Sequence, residues 1–348
     1  RTARRLGGDM GLGRAGGWYG LWVLVGAAAL TSPAFAQDDD RLAPQPLTFS
    51  DQSPTVSIYG LPRADGYTVA QPGAWHAGLR IDYTSHYTEQ ESGNESLLFD
   101  GETTRAALVF RRGFQGRWQA SVEIPFVDHS GGFADGFIDD FHDVFGFADG
   151  GRSGAPDDRQ TFRYQRDGRL ALDVSDSPSG VGDVRLGLKK RLPGVGDWGM
   201  AVAGELKLPT GDADRLTGSG AADVSLWATI GNNQSGTSRW RMLAGAGGLY
   251  SGEGDVLERQ RVQEVAFGWA TLGYALTPAF VVEVQAYAHS AFYEDTDIEA
   301  LDGTAVAGAL GFDWQLTQQS SLDFAIIEDL NTGASPDVSF ILGLRHAF

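Results

Sequence analysis

Residues 75–88 read WHAGLRIDYTSHYT, and they alternate. One set is Trp75, Ala77, Leu79, Ile81, Tyr83, Ser85 and Tyr87; the other is His76, Gly78, Arg80, Asp82, Thr84 and His86. Successive side chains of a strand point to opposite faces, so this stretch is a strand with one apolar and one wet face. The pattern recurs. In 117–126, Trp118, Ala120, Val122, Ile124 and Phe126 oppose Gln119, Ser121 and Glu123. In 197–208, Trp198, Met200, Val202, Leu206 and Leu208 oppose Glu205 and Lys207. In 303–316, Val306, Leu310, Phe312, Trp314 and Leu316 oppose Ala305, Ala307, Ala309, Asp313 and Gln315.

Working outward, about twelve segments read as strands: 75–88, 103–112, 117–126, 181–192, 198–208, 221–231, 239–251, 262–275, 279–292, 304–316, 320–330 and 338–348. A soluble sandwich would alternate too, with its apolar face inward. Three features favour a membrane barrel. The segments exceed the ~5–6 residues usual in soluble sheets and match tilted membrane strands. The polar faces carry many Gly and Ala, which suit a lumen better than a packed core. Finally, Trp75, Trp118, Trp198, Trp240, Phe280, Trp314 and Phe348 all fall at one rim, on the apolar face, as an aromatic girdle does. Connections at that rim are short, as at 113–116, 193–196 and 277–278. Those at the other rim are longer or acidic, as at 89–102, 127–180, 209–220 and 251–261. The reading is all-β: a transmembrane antiparallel β-barrel of about 12 strands in an outer membrane. At the end, Phe340, Leu342, Leu344, His346 and Phe348 share one face, resembling the signal read by the barrel-assembly machinery, with His346 a departure.

Three stretches lie outside this pattern. Residues 1–36 read as a signal peptide. Arg4, Arg5 and Arg14 precede the apolar run 18–30, and Ala34 and Ala36 are small residues placed for cleavage near Ala36. The first methionine is Met10, so translation is expected to start there or upstream of Arg1. Residues 37–74 are polar and Pro-rich and read as a periplasmic tail or a segment tucked into the lumen. Residues 127–180 are too long for an ordinary loop and read as an extracellular insertion. Within it, 133–147 (FADGFIDDFHDVFGF) reads as a short helix with Phe133, Phe137 and Phe141 on one face and His142 beside them.

The chain has 348 residues, no cysteine and a formal net charge of −18. That charge argues against nucleic acid as a partner. It leaves outer-membrane lipid, lipopolysaccharide and a small hydrophobic ligand as candidates. Disulfides and thiolate chemistry are excluded. No metal site or cofactor is expected: His142 lacks a second His one helical turn on.

Charged residues of both signs recur on the wet faces, among them Arg105, Glu123, Glu205 and Lys207. They read as the lumen wall, and the plainer interpretation is an interior ion-pair network. Asp128-His129-Ser130 invites a hydrolase reading. Adjacent residues on a strand face opposite sides, however, and there is no G-x-S-x-G elbow. Pro209-Thr210-Gly211-Asp212 reads as an ordered outer turn or a ligand-gating rim.

Several of these motifs together resemble an uncharacterised proteobacterial outer-membrane family, domain of unknown function 3187. They are His129-Ser130-Gly131-Gly132-Phe133 with Gly136-Phe137-Ile138 and Phe141-His142, Gly182-Asp183, Leu208 to Asp212, Gly218-Ser219-Gly220 with Asp223, and Tyr59-Gly60-Leu61-Pro62. The resemblance implies a barrel and an outer-membrane address but no activity. The Pro-Thr-Gly-Asp stretch is also similar to phenol meta-pathway-type barrels, which implies passage of small hydrophobic compounds. The function expected is passive transport or binding of such a molecule. Phe133, Phe137, Phe141 and His142 would form a lid, and Arg105, Glu123, Glu205 and Lys207 the lumen wall. A structural or adhesive surface barrel with a sealed lumen, and a lipid-modifying hydrolase using Ser130, are the alternatives.

Overall fold

The computed structural model describes residues 45–132, 158–232, 236–330 and 338–348. Phe133, Phe137, Phe141 and His142, expected as a lid, and residues 1–36, expected as a signal peptide, lie outside the described residues. Fifteen strands form one sheet. They are β1 Trp75–Ser92, β2 Glu95–Phe114, β3 Trp118–Ser130, β4 Thr161–Arg166, β5 Arg169–Val174, β6 Ser179–Val181, β7 Arg185–Val195, β8 Trp198–Lys207, β9 Asp223–Gly231, β10 Trp240–Ser251, β11 Glu264–Thr277, β12 Phe280–His289, β13 Ala305–Gln315, β14 Ser320–Asp329 and β15 Val338–Ala347.

Twelve of them close a ring of antiparallel neighbours, β1, β2, β3 and then β7 to β15, with β15 paired back onto β1 from His76↔Ala347 to Ser85↔Val338. Closure leaves the ring without an edge, which is what a sheet in hydrocarbon requires. No described helix is long and apolar enough to cross a membrane. The apolar faces point outward: Leu79, Leu108, Ile124, Leu188, Val202, Leu226, Met242, Leu272, Leu310 and Leu342 are all exposed. In water that surface would be costly, whereas in lipid it costs nothing. Five of the seven girdle residues sit at strand ends beside a short turn: Trp118 pairs with Phe114, Trp240 with Tyr274, Phe280 with Trp314, and Trp198 opens β8. Phe348 donates its N–H to the Trp75 carbonyl, bringing the chain end to the same rim.

Three expectations change. The first hairpin is longer than its apolar alternation shows. The segment 89–102, read as a loop, is largely strand, and β1 and β2 pair as far as Ser92↔Glu95. The insertion 127–180 is not all loop either. Its β4 and β5 form a hairpin added to the far half of β2, from Glu95↔Arg166 to Asp100↔Thr161. Phe99, Phe162 and Tyr164 bury there, so the extension has an apolar filling of its own above the membrane zone. The fourth barrel strand begins at Arg185, not 181, because Gly182, Asp183 and Val184 leave the ladder opposite Pro125. A proline there has no N–H to offer the next strand.

Candidate functional site

Residues 45–70 lie within the barrel, and their apolar side chains join inward-facing wall and outer-loop residues in its main buried cluster. Leu47, Phe49, Val56, Ile58, Tyr59 and Leu61 are all at most 4% exposed. The segment forms no ladder with the wall beyond one isolated bridge at Pro72↔Gly113. Its backbone is satisfied by turns of its own, as where the Val56 and Ser57 N–H groups donate to the Ser53 carbonyl, and over 58–62 by wall side chains. Five consecutive carbonyls accept from four wall side chains: Ile58 from Lys207 (3.0 Å), Tyr59 and Leu61 from Arg185 (both 2.8 Å), Gly60 from Ser225 (2.5 Å) and Pro62 from Tyr287 (2.5 Å). Buried backbone groups must be paired, and an extended chain in a lumen has no neighbouring strand to pair with. Cationic and hydroxylic wall residues take that role. Gly60 is required for contact: an added Cβ would fall 2.9 Å from Asp223 Cβ.

The wall around the segment is two-sided. One arc, β1, β2, β3, β7 and β8, is charged. Glu123 accepts from Arg105 (2.9 Å) and Arg80 (3.3 Å), and Arg63 of the inner segment approaches it at 4.0 Å while bonding Asp82. Arg185 reaches Glu205 at 3.2 Å. The opposite arc, β9 to β12, is aromatic. Phe267 and Trp269 stack at 6.2 Å and 3°, Trp269 and Tyr287 at 6.1 Å and 6°, and Trp227 meets Phe267 edge-on. These rings lie flat because their neighbours across the ladder are small. Gly245 pairs with Trp269, and a Cβ there would collide with the indole. The inner segment faces both arcs, with Arg63 toward the charges and Phe49 against Tyr287 at 5.8 Å.

At the long-loop end the segment is held by one buried node. Lys207 Nζ, fully buried, bonds Asp183 (2.6 Å), Ser219 Oγ (2.5 Å) and the Ile58 carbonyl, and lies 3.1 Å from Asp223. Asp183 also accepts from the Gly211 N–H (2.8 Å) and the Ser219 N–H (3.2 Å). Asp223 accepts from Gly60 N–H (2.8 Å) and Gly252 N–H (3.0 Å). The Gly-Asp, Pro-Thr-Gly-Asp, Gly-Ser-Gly and Tyr-Gly-Leu-Pro motifs thus converge on one cation and two carboxylates. Nearby, His289 Nε2 lies 3.0 Å from Asp51, both buried. Burial pushes the Asp51 carboxyl up, but the His289 bond and charge outweigh it and hold it below the ordinary value. Tyr59 is pushed up to about 12 by burial.

Of the wall residues chosen from sequence, Arg105 and Glu123 meet each other, Glu205 meets Arg185, and Lys207 belongs to the separate node. The inner partners Arg63, Asp51 and Tyr59 were not chosen, nor was the aromatic arc. The signal for the former was the apolar load of 45–74, too high for an exposed tail. His129 and Ser130 do not pair. The His129 ring nitrogens face Thr103 Oγ (2.9 Å) and the Leu216 carbonyl (3.2 Å), leaving neither to activate the serine. No group of metal-binding side chains occurs among the described residues.

The fold is shared with the COG4313 outer-membrane channel from Pseudomonas putida F1, at 12% identity and a TM-score of 0.55, over 81% of this chain and 98% of that one. Looser likenesses are to the CymD monoaromatic hydrocarbon channel (9%, TM-score 0.37, 80% and 88%) and the Ralstonia pickettii toluene transporter TbuX (10%, 0.39, 80% and 90%). No curated protein sequence matches the chain. A family model described as protein of unknown function (DUF3187) matches residues 23–348, and the chain belongs to that family.

Proposed function

We propose that this barrel is a passive outer-membrane channel for a small molecule with an apolar body, gated by residues 45–74. One observation carries the reading. The lumen is charged on one side and aromatic on the other, and what fills it is a segment held mainly by side chains, not by strand pairing. Such a filling can leave without breaking a single rung of the twelve-stranded ring. The fold shared with an outer-membrane channel supports the reading. Residues 133–147, with Phe133, Phe137, Phe141 and His142, are proposed as a second barrier at the long-loop rim.

Single-channel conductance in a planar bilayer tests this, on the full barrel and on variants lacking 45–66 or 133–147. The expected result is small or absent steps for the full chain and larger ones without 45–66. Unchanged conductance after both deletions would overturn the proposal. It would favour a sealed structural barrel, a reading supported by the many bonds that tie the segment to the wall. The hydrolase alternative has its own test: Ser130→Ala would abolish lipid hydrolysis.

A further inference from the structure

Beneath residues 62–65, toward the short-turn rim, the lumen keeps an interior cavity of about 70 Å³. That is room for roughly five to seven waters, or for a carboxylate with a short apolar body. Five cations border it: Arg63, Arg80, Arg111, Arg185 and Lys189. Three carboxylates border it too, and each is already engaged: Glu123 by Arg80 and Arg105, Glu205 by Arg185, Asp65 by Lys189. Arg111, on the same wall, makes no hydrogen bond or ion pair within 4 Å of a described residue, and Asp65 and Glu123 act on it only at longer range. Arg63, Arg185 and Trp227, which also line it, each keep a buried nitrogen without a hydrogen-bond partner, although those nitrogens are packed away from the void itself. The chain as a whole is strongly acidic, at −18, so a cationic interior is not a reflection of composition.

Five cations against three engaged carboxylates, with Arg111 unpaired, leave the void short of an acceptor. Guanidinium groups suit a planar carboxylate, and an indole in the same wall suits an apolar body. We infer that this cavity is a binding site for a small organic monocarboxylate, its anionic head toward Arg111 and Arg63 and its apolar body toward Trp227. The inference rests on the channel reading and names the class of molecule that the channel takes.

Benzoate, with benzyl alcohol as its neutral counterpart, is the probe. Binding would be measured by titration calorimetry on the refolded full barrel in detergent, and on Arg111→Gln and Trp227→Phe. Arg111 supports no ion pair, so Arg111→Gln should fold, as its heat-modifiable mobility would show. The expected result is benzoate preferred over benzyl alcohol. Arg111→Gln should weaken benzoate roughly tenfold or more, as loss of one charge-assisted bond does, and leave benzyl alcohol unchanged. Trp227→Phe keeps an aromatic ring against the apolar body and should leave benzoate binding nearly unchanged. Benzoate bound no better than benzyl alcohol, or equally by Arg111→Gln, overturns the site: the cavity then holds water only. Conductance separates the two ideas. A conducting barrel that ignores benzoate keeps the channel and loses the site. A silent barrel that binds benzoate through Arg111 keeps the site and loses the channel.

Discussion

Lys207 shows what one residue can hold. Its ammonium satisfies Asp183 and Asp223 and reaches the Ile58 carbonyl, so it ties β8, the loop before β7, the start of β9 and the inner segment together. Lys207→Met would leave two buried carboxylates without their cation, and breaking a buried pair costs about 3–5 kcal/mol. We expect the thermal unfolding midpoint in detergent to fall by several degrees; an unchanged midpoint would show that the node is not structural. Gly245 makes the opposite point, since it matters for what it lacks. Gly245→Val would push into the Trp269 indole, and overpacking of this kind costs about 1–3 kcal/mol. Tryptophan emission and the melting point should both shift, whereas Gly93→Val, where nothing lies within 4 Å of an added Cβ, should leave tryptophan emission unchanged. Asp51 predicts a pH response. Its folded-state value lies below the ordinary one, so its contribution is present at neutral pH and is lost as pH falls through that lowered value. The inner segment should loosen in acid, below about pH 4, the ordinary value for Asp. Asp51→Asn should remove that part of the pH dependence, measured as channel opening or protease sensitivity between pH 7 and pH 3.

At the scale of elements, the inner segment is the one whose position can be probed most directly. The chain has no cysteine, so a single one reports alone. Thr55 is fully buried and its hydroxyl is unpartnered. Thr55→Cys should resist a water-soluble thiol reagent in the intact barrel and react once Lys207→Met is added. Equal reaction in both would mean that the segment is mobile regardless of the node. All twelve wall strands could be read in the sequence, because each presents one face to lipid and the alternation survives there. Legibility failed where that contrast vanishes. In β11, already legible as a strand, Phe267 and Trp269 face inward while Ala266, Gly268 and Ala270 face out, so hydropathy did not tell which face lines the lumen. The distal halves of β1 and β2 are polar over 89–96, and Leu97 and Phe99 bury into the hairpin extension, so too short an apolar stripe remained to extend the strands. The partners of Arg105, Glu123, Glu205 and Lys207 were hidden for another reason. Sequence told which face each residue takes but not which inward-facing neighbour it meets: Arg105–Glu123, Arg185–Glu205 and Lys207–Asp183 lie only 18 to 24 positions apart, whereas contacts with the inner segment, as Arg185 with Tyr59, span more than a hundred.

For the whole molecule, ring closure is the feature with the widest reach. The seam joins residues 76–85 to 338–347, the most distant parts of the wall in sequence. Contacts of such long range are slow to form, because a large loop must close before they return anything. The segment 45–74 immediately precedes β1 and belongs inside. If the seam zipped first, thirty residues with Tyr59 and Phe49 among them would have to thread an occupied tunnel. If the segment collapses first onto the aromatic arc, the wall winds around it and the seam follows. The inner segment is then a mandrel as much as a gate. Shortening it should slow the appearance of the closed, heat-modifiable form during refolding, before any question of transport arises.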